Sequence, residues 1–153
     1  MSHKNGSRSL AKGFLAGLAG GLAGAGVKLV AEKFFPPRVS PPPPVVLAEQ
    51  LAGRSLPAAR RKAAEQGIHW VFGALAGGVY GALVEIEPEI GAWHGAAFGI
   101  TLNRLTHEAL LPRMGLSAPP NRMRTEDRIS QWVTHAAYGV ATDVVRRRVR
   151  SGL

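Results

Sequence analysis

Four apolar stretches, separated by polar or proline-broken connections, organise the chain. The first covers residues 10–30 (LAKGFLAGLAGGLAGAGVKLV) and the second 68–84 (IHWVFGALAGGVYGALV). The third, 90–111, begins apolar and is then broken by Arg104, His107 and Glu108; the fourth, 129–145, reads ISQWVTHAAYGVATDVV. Each holds 17 to 22 residues, a helix of roughly 26–33 Å at 1.5 Å per residue. A bilayer's hydrocarbon core is about 30 Å thick. The pattern predicts an all-α, integral membrane fold: four short Gly-rich transmembrane helices in an antiparallel bundle, at about 10–32, 68–86, 90–111 and 127–148, within a single membrane domain over 1–153. A cleaved secretory signal is the rival reading of the first stretch, given its basic start and small residues. The apolar run continues into VKLVAEKFF, and cleavage would orphan the other helices, so an uncleaved first span is expected.

The connections differ in character. Loop 33–66 opens on PPRVSPPPP, a rigid polyproline stretch without helical hydrogen bonds. Apolar and basic residues then mix at roughly helical spacing, as in a helix lying in the headgroup plane. Ser55 is placed to cap the helix that feeds the second stretch. A short EIEPE link makes a tight hairpin of the second and third stretches. PRMGLSAPPNRMRTED leads to the fourth, with Thr125 as its expected cap.

Glycine recurs at every fourth position, three times over: Gly13, Gly17 and Gly21; Gly73, Gly77 and Gly81; Gly91, Gly95 and Gly99. Each costs about 1 kcal/mol against alanine in a water-exposed helix. In lipid the backbone hydrogen bonds are protected, and a glycine face lets helices approach closely. The large apolar residues between them (Phe14, Leu15, Leu18, Leu22) exclude a flexible linker. The stripes serve packing within the bundle or between copies of the chain.

Charge adds a partner class. The 153 residues carry 19 Lys+Arg against 10 Asp+Glu, net +9, and no cysteine. That excludes disulfides, thiolate metal sites and a cysteine nucleophile. Nucleic acid is the ordinary explanation of such basicity, but the charges cluster at Lys4, Arg8 and Lys12, at Arg60–Lys62, at Arg122, Arg124 and Arg128, and at Arg146–Arg150. Basic clusters flanking apolar runs suit an anionic bilayer surface, so a lipid bilayer is expected and nucleic acid is not. Trp70, Trp93 and Trp132 fall near predicted helix ends, as interfacial anchors do.

Antiparallel order sorts the ionisable residues by depth. Lys28, Glu32, His69, His107, Glu108 and, deeper, His135 share one rim, with Lys28 and Glu32 paired at i, i+4. Glu85, Glu87, Glu89, His94 and the arginine tail share the other, where Glu85 is expected to pair with Arg146 or Arg147. Ionisable groups in a bilayer are costly and face the bundle interior or a partner. The first rim therefore reads as polar staples, as a proton or ion site, or as a metal or haem site at His69, His107 and His135. No His pair has the local spacing of a metal-binding helix. No nucleophile elbow, P-loop or dinucleotide fingerprint occurs, so neither an enzyme nor a cofactor is expected.

With these residues placed, the chain resembles the YagU-like family of small bacterial inner-membrane proteins, a family of unknown function. The marks are Val27, Lys28 and Glu32; Pro36, Pro37 and Arg38; His69, Tyr80, Glu85 and Pro88; and Trp93 and Gly95. They continue with His107, Pro112, Met114–Leu116, Pro119 and Pro120, then Glu126, His135 and Arg146–Arg147. The likeness covers most of the chain and departs at loop 33–66, which lacks a longer insertion with an additional apolar stretch. It implies multi-pass residence in a bacterial inner membrane and supplies no activity. The expected role is an accessory membrane subunit, a homo-oligomer or part of a complex, packing through its glycine faces. A transporter or channel using the His–Glu–Lys rim is the alternative, and metal or haem binding the second.

Overall fold

A computed structural model describes residues 8–36 and 41–153; Lys4, Pro37 and Arg38, named above, lie outside them. Among the described residues the fold is all helical, without strands. Helix α1 spans Leu10–Phe34. Ser9 caps it, its hydroxyl accepting from the Lys12 amide at 3.4 Å, and Pro36 follows its end, where no helix can continue. Helix α2, Pro43–Ala52, starts inside the proline run and stops at Gly53 in the left-handed conformation. Helix α3, Ala58–Ile86, begins ten residues before the predicted boundary, because AARRKAAEQ is made largely of strong helix formers. Pro57 takes its N-cap position without a side-chain bond. The expected cap, Ser55, instead donates to Glu49 at 3.2 Å.

The third stretch departs most from expectation. Residues Pro88–Gly95 form a 3₁₀ turn in which Trp93 and His94 are left-handed (φ 53° and 51°), followed by Gly95 at φ 83°. Helix α4 therefore starts only at Ala96 and runs to Asn103. It continues through a wider π-helical turn, Arg104–Leu110, and a last turn, Leu111–Arg113. Helix α5, Thr125–Gly152, has Arg124 at its N-cap and no side-chain cap, so Thr125 opens the helix without capping it.

Helix α1 packs between α3 and α5, and α5 packs between α1 and α4. Neighbours run antiparallel, as the pairing of Gly13 with Gly81 and of Gly99 with His135 requires. Helices α3 and α4 are joined at one end by the 87–95 turn, where Tyr80 stacks on Phe98 at 4.2 Å. At the other end a cavity lies between them.

The interior is small and polar. Ala16, Ala25, Tyr80 and Tyr138 are buried together with Asn103, Thr134, His135, Thr142 and Asp143, while Leu15, Leu22, Val71, Leu75, Val133 and Val144 face outward. This reverses the ordinary soluble pattern, in which large aliphatic side chains fill the core. Among the described residues two helices, α1 and α3, are long and apolar enough to cross a membrane, against the four predicted. The apolar part of α4 is shortened by the 3₁₀ turn, and the inward face of α5 is polar from Asp127 to Arg146.

Candidate functional site: a polar cavity at one rim

Glycine contacts position the walls. A Cβ on Gly13 would lie 2.6 Å from the Gly81 carbonyl oxygen, one on Gly77 2.5 Å from that of Gly17, and Gly21 abuts Gly73 in the same way. Six of the nine predicted packing glycines thus meet each other across α1 and α3. Gly95 and Gly99 meet α5 at Gly139 and His135. Gly91 does not join them: it lies in the 3₁₀ turn, and its nearest neighbours are Tyr80 and Val84 at 3.8 and 3.9 Å. A second glycine face on α1, Gly20 and Gly24, meets Thr142 and Tyr138. Its i, i+4 spacing was visible in the sequence but was masked by the stronger triplet beside it.

With α1 held tightly to both α3 and α5, the far ends of α3 and α4 enclose a cavity of about 520 Å³, partly covered by α2 through Pro42–Pro44 and Leu47. Five of the six predicted rim residues line it: Lys28 and Glu32 from α1, His69 from α3, His107 from the π turn and His135 from α5. Lys28 and Glu32 form an ion pair one turn apart. His69 Nε2 lies 3.2 Å from the Ala25 carbonyl, and His135 Nδ1 2.7 Å from that of Gln131. Because a carbonyl only accepts, each nitrogen carries the hydrogen. The His107 ring packs edge-on against His135, 4.9 Å between centroids. The wider π turn carries both Thr106 and His107 on the cavity wall.

Glu108 is the residue that does not join. It accepts from Trp132 Nε1 at 2.9 Å and pairs with Arg128 at 3.5 Å and Arg104 at 3.8 Å, tying the π turn to α5 off the cavity. Among the described residues, no three His, Asp or Glu side chains converge to hold a metal ion. Two of the three candidate imidazoles already spend a nitrogen on a backbone carbonyl.

The opposite rim also differs from expectation. Glu85 is bound by Arg150, at 2.7 and 3.1 Å, and by the Ser9 amide at 3.0 Å, not by Arg146 or Arg147. Those two arginines flank Asp143, at 2.8 and 2.6 Å. The Tyr80 hydroxyl donates to the same carboxylate at 2.9 Å, and the Arg146 guanidinium lies 5.7 Å from the Tyr80 ring centre. Asp143 escaped the sequence reading although its i+3 and i+4 arginines are a local signal. Between the rims, the Tyr138 hydroxyl donates to the Gly73 carbonyl at 2.6 Å, and both residues line the cavity.

No curated protein and no solved structure matches the chain. The model of a family described as a protein of unknown function, DUF1440, matches residues 22–144. That span holds all five cavity residues and Asp143, and it begins after Gly13, Gly17 and Gly21. By this match, over most of its length, the chain belongs to the DUF1440 family.

Proposed function

We propose that the protein is a multi-pass protein of the bacterial inner membrane that handles protons or small cations at the histidine-lined cavity. The observation that carries this is the convergence of Lys28, Glu32, His69, His107 and His135, from four helices, on a single cavity. Ionisable side chains are costly in a bilayer and are retained where they serve an ion or proton path. Membrane residence is supported by the apolar outward faces, and the bacterial inner membrane by the family resemblance. In this reading α4 with the turn before it, and α5, embed beside α1 and α3 as thinner spans, through stretches of 14 residues without Asp, Glu, Lys or Arg at 90–103 and 129–142.

The accessory-subunit reading draws less support from the glycine faces, which apart from Gly91 meet the chain's own helices.

The test is reconstitution into liposomes enclosing a pH-sensitive dye, with a potassium diffusion potential imposed by valinomycin. Proton uptake should exceed that of empty liposomes, and Glu32→Gln or His107→Ala should slow it at least tenfold while the circular dichroism of the helices is retained. Equal rates with and without protein would sink the reading.

A further inference from the structure

His69, His135 and Thr106 turn acceptors to part of the cavity wall. With Nε2 of His69 and Nδ1 of His135 donating to carbonyls, the opposite nitrogen of each neutral ring is a lone-pair acceptor. Thr106 is likewise spent as a donor, its hydroxyl on the Leu102 carbonyl at 2.7 Å, which leaves oxygen lone pairs. The charge is unbalanced. Lys28 is matched by Glu32, and Glu65 adds a second carboxylate to the same lining, so the wall is net negative in a chain of net charge +9. The rest of the lining is apolar, including Leu29, Leu47, Phe72, Leu102, Leu110 and Met114.

We propose that the cavity binds an amphipathic molecule with a primary ammonium head and an apolar chain. The three N–H groups of the head meet the carboxylates and the free imidazole nitrogens, and the chain lies among the leucines and Phe72. This rests on the cavity being the working site and names what enters it. A quaternary ammonium brings the charge without N–H groups, and an alcohol brings a donor without the charge; neither satisfies the wall. The head comes from a free alkylamine or from an aminoalcohol lipid headgroup, which offer the same donors.

Full-length protein in discs of phosphatidylcholine and phosphatidylglycerol, titrated calorimetrically against empty discs, tests this. Octylamine hydrochloride should bind one per chain, about tenfold more tightly than octyltrimethylammonium or octanol, as expected for a few charge-assisted hydrogen bonds. Phosphatidylethanolamine added to the disc should weaken that binding if the headgroup is the source and leave it unchanged if the free amine is. Glu65→Gln and His69→Ala, both at half-buried positions, should erode the preference for octylamine while the thermal unfolding of the empty protein is retained. Equal binding of octyltrimethylammonium or octanol, or octylamine binding that ignores both substitutions, would overturn the proposal. Proton flux without amine selectivity would overturn this inference alone; amine selectivity without flux would remove proton handling and leave a receptor site.

Discussion

An alanine methyl at Gly17 would fall on the Gly77 carbonyl, whereas at Gly67 it would meet nothing within 4 Å. Gly17→Ala should therefore destabilise the fold by about 2 kcal/mol through overpacking against rigid backbone. Gly67→Ala, within α3, should stabilise it by about 0.5–1 kcal/mol by restricting the unfolded chain. Thermal unfolding in a mild detergent reads both, and a neutral Gly17→Ala would mean that α1 and α3 are not in contact. At the other rim, Asp143 is fully buried and Arg146 is only 7% exposed. Asp143→Asn should cost about 3 kcal/mol in the same measurement, since it leaves a buried guanidinium without its counter-charge. Spacing made the glycines legible, because a four-residue repeat fixes one helix face whatever lies opposite. The partner of Glu85 was not legible: Arg146 and Arg150 share a helix face one turn apart, so choosing between them depends on the axial register of α5 against α3, and only tertiary packing sets that.

Among the elements, α1 could be read almost to its ends from its apolar run and the proline after it. The late start of α4 could not. Left-handed Trp93 is a bulky L-residue that disfavours that conformation, so no local signal announced the turn. Helix α2 is tied to the base of α3 through Glu49, which accepts from the Leu56 amide at 2.8 Å and from Arg61 Nε at 2.7 Å. The Leu56 amide first, and then the Arg61 side chain, hold the Glu49 carboxyl below its ordinary value of 4.5. A depressed folded pKa means that the tie is complete above pH 4.5 and is lost as pH falls below it through the folded value. The protection factor of the Leu56 amide, its exchange rate set against the intrinsic rate at each pH, should therefore fall between pH 6 and pH 3. In Glu49→Gln the low protection should already be present at pH 6. A Leu56 amide equally protected at both pH values would show that the carboxylate does not hold this joint.

At the scale of the molecule, the polar inside and apolar outside were foreshadowed by segment four, whose Ser, Gln, Thr, His and Asp positions recur on one face. Antiparallel order places the rim residues at one depth; that five of them line a cavity, together with Glu65 and without Glu108, depends on packing that the order does not specify. The absence of cysteine makes single introduced cysteines clean reporters of depth. Leu75→Cys on α3 and Val133→Cys on α5 should resist a membrane-impermeant maleimide in native membranes and react once detergent is added, while Arg104→Cys should react in both. Full labelling of Val133→Cys before detergent would place α5 in water and reduce the spans to α1 and α3.

The close pairing of glycines across α1 and α3 also limits how the bundle can move. Each carbonyl oxygen occupies the notch left by a missing side chain on the neighbouring helix, and the notches recur only once per turn. Small axial slides would drive oxygens into Cα atoms, so relative travel along that seam is quantised in steps of about 6 Å, four residues at about 1.5 Å each.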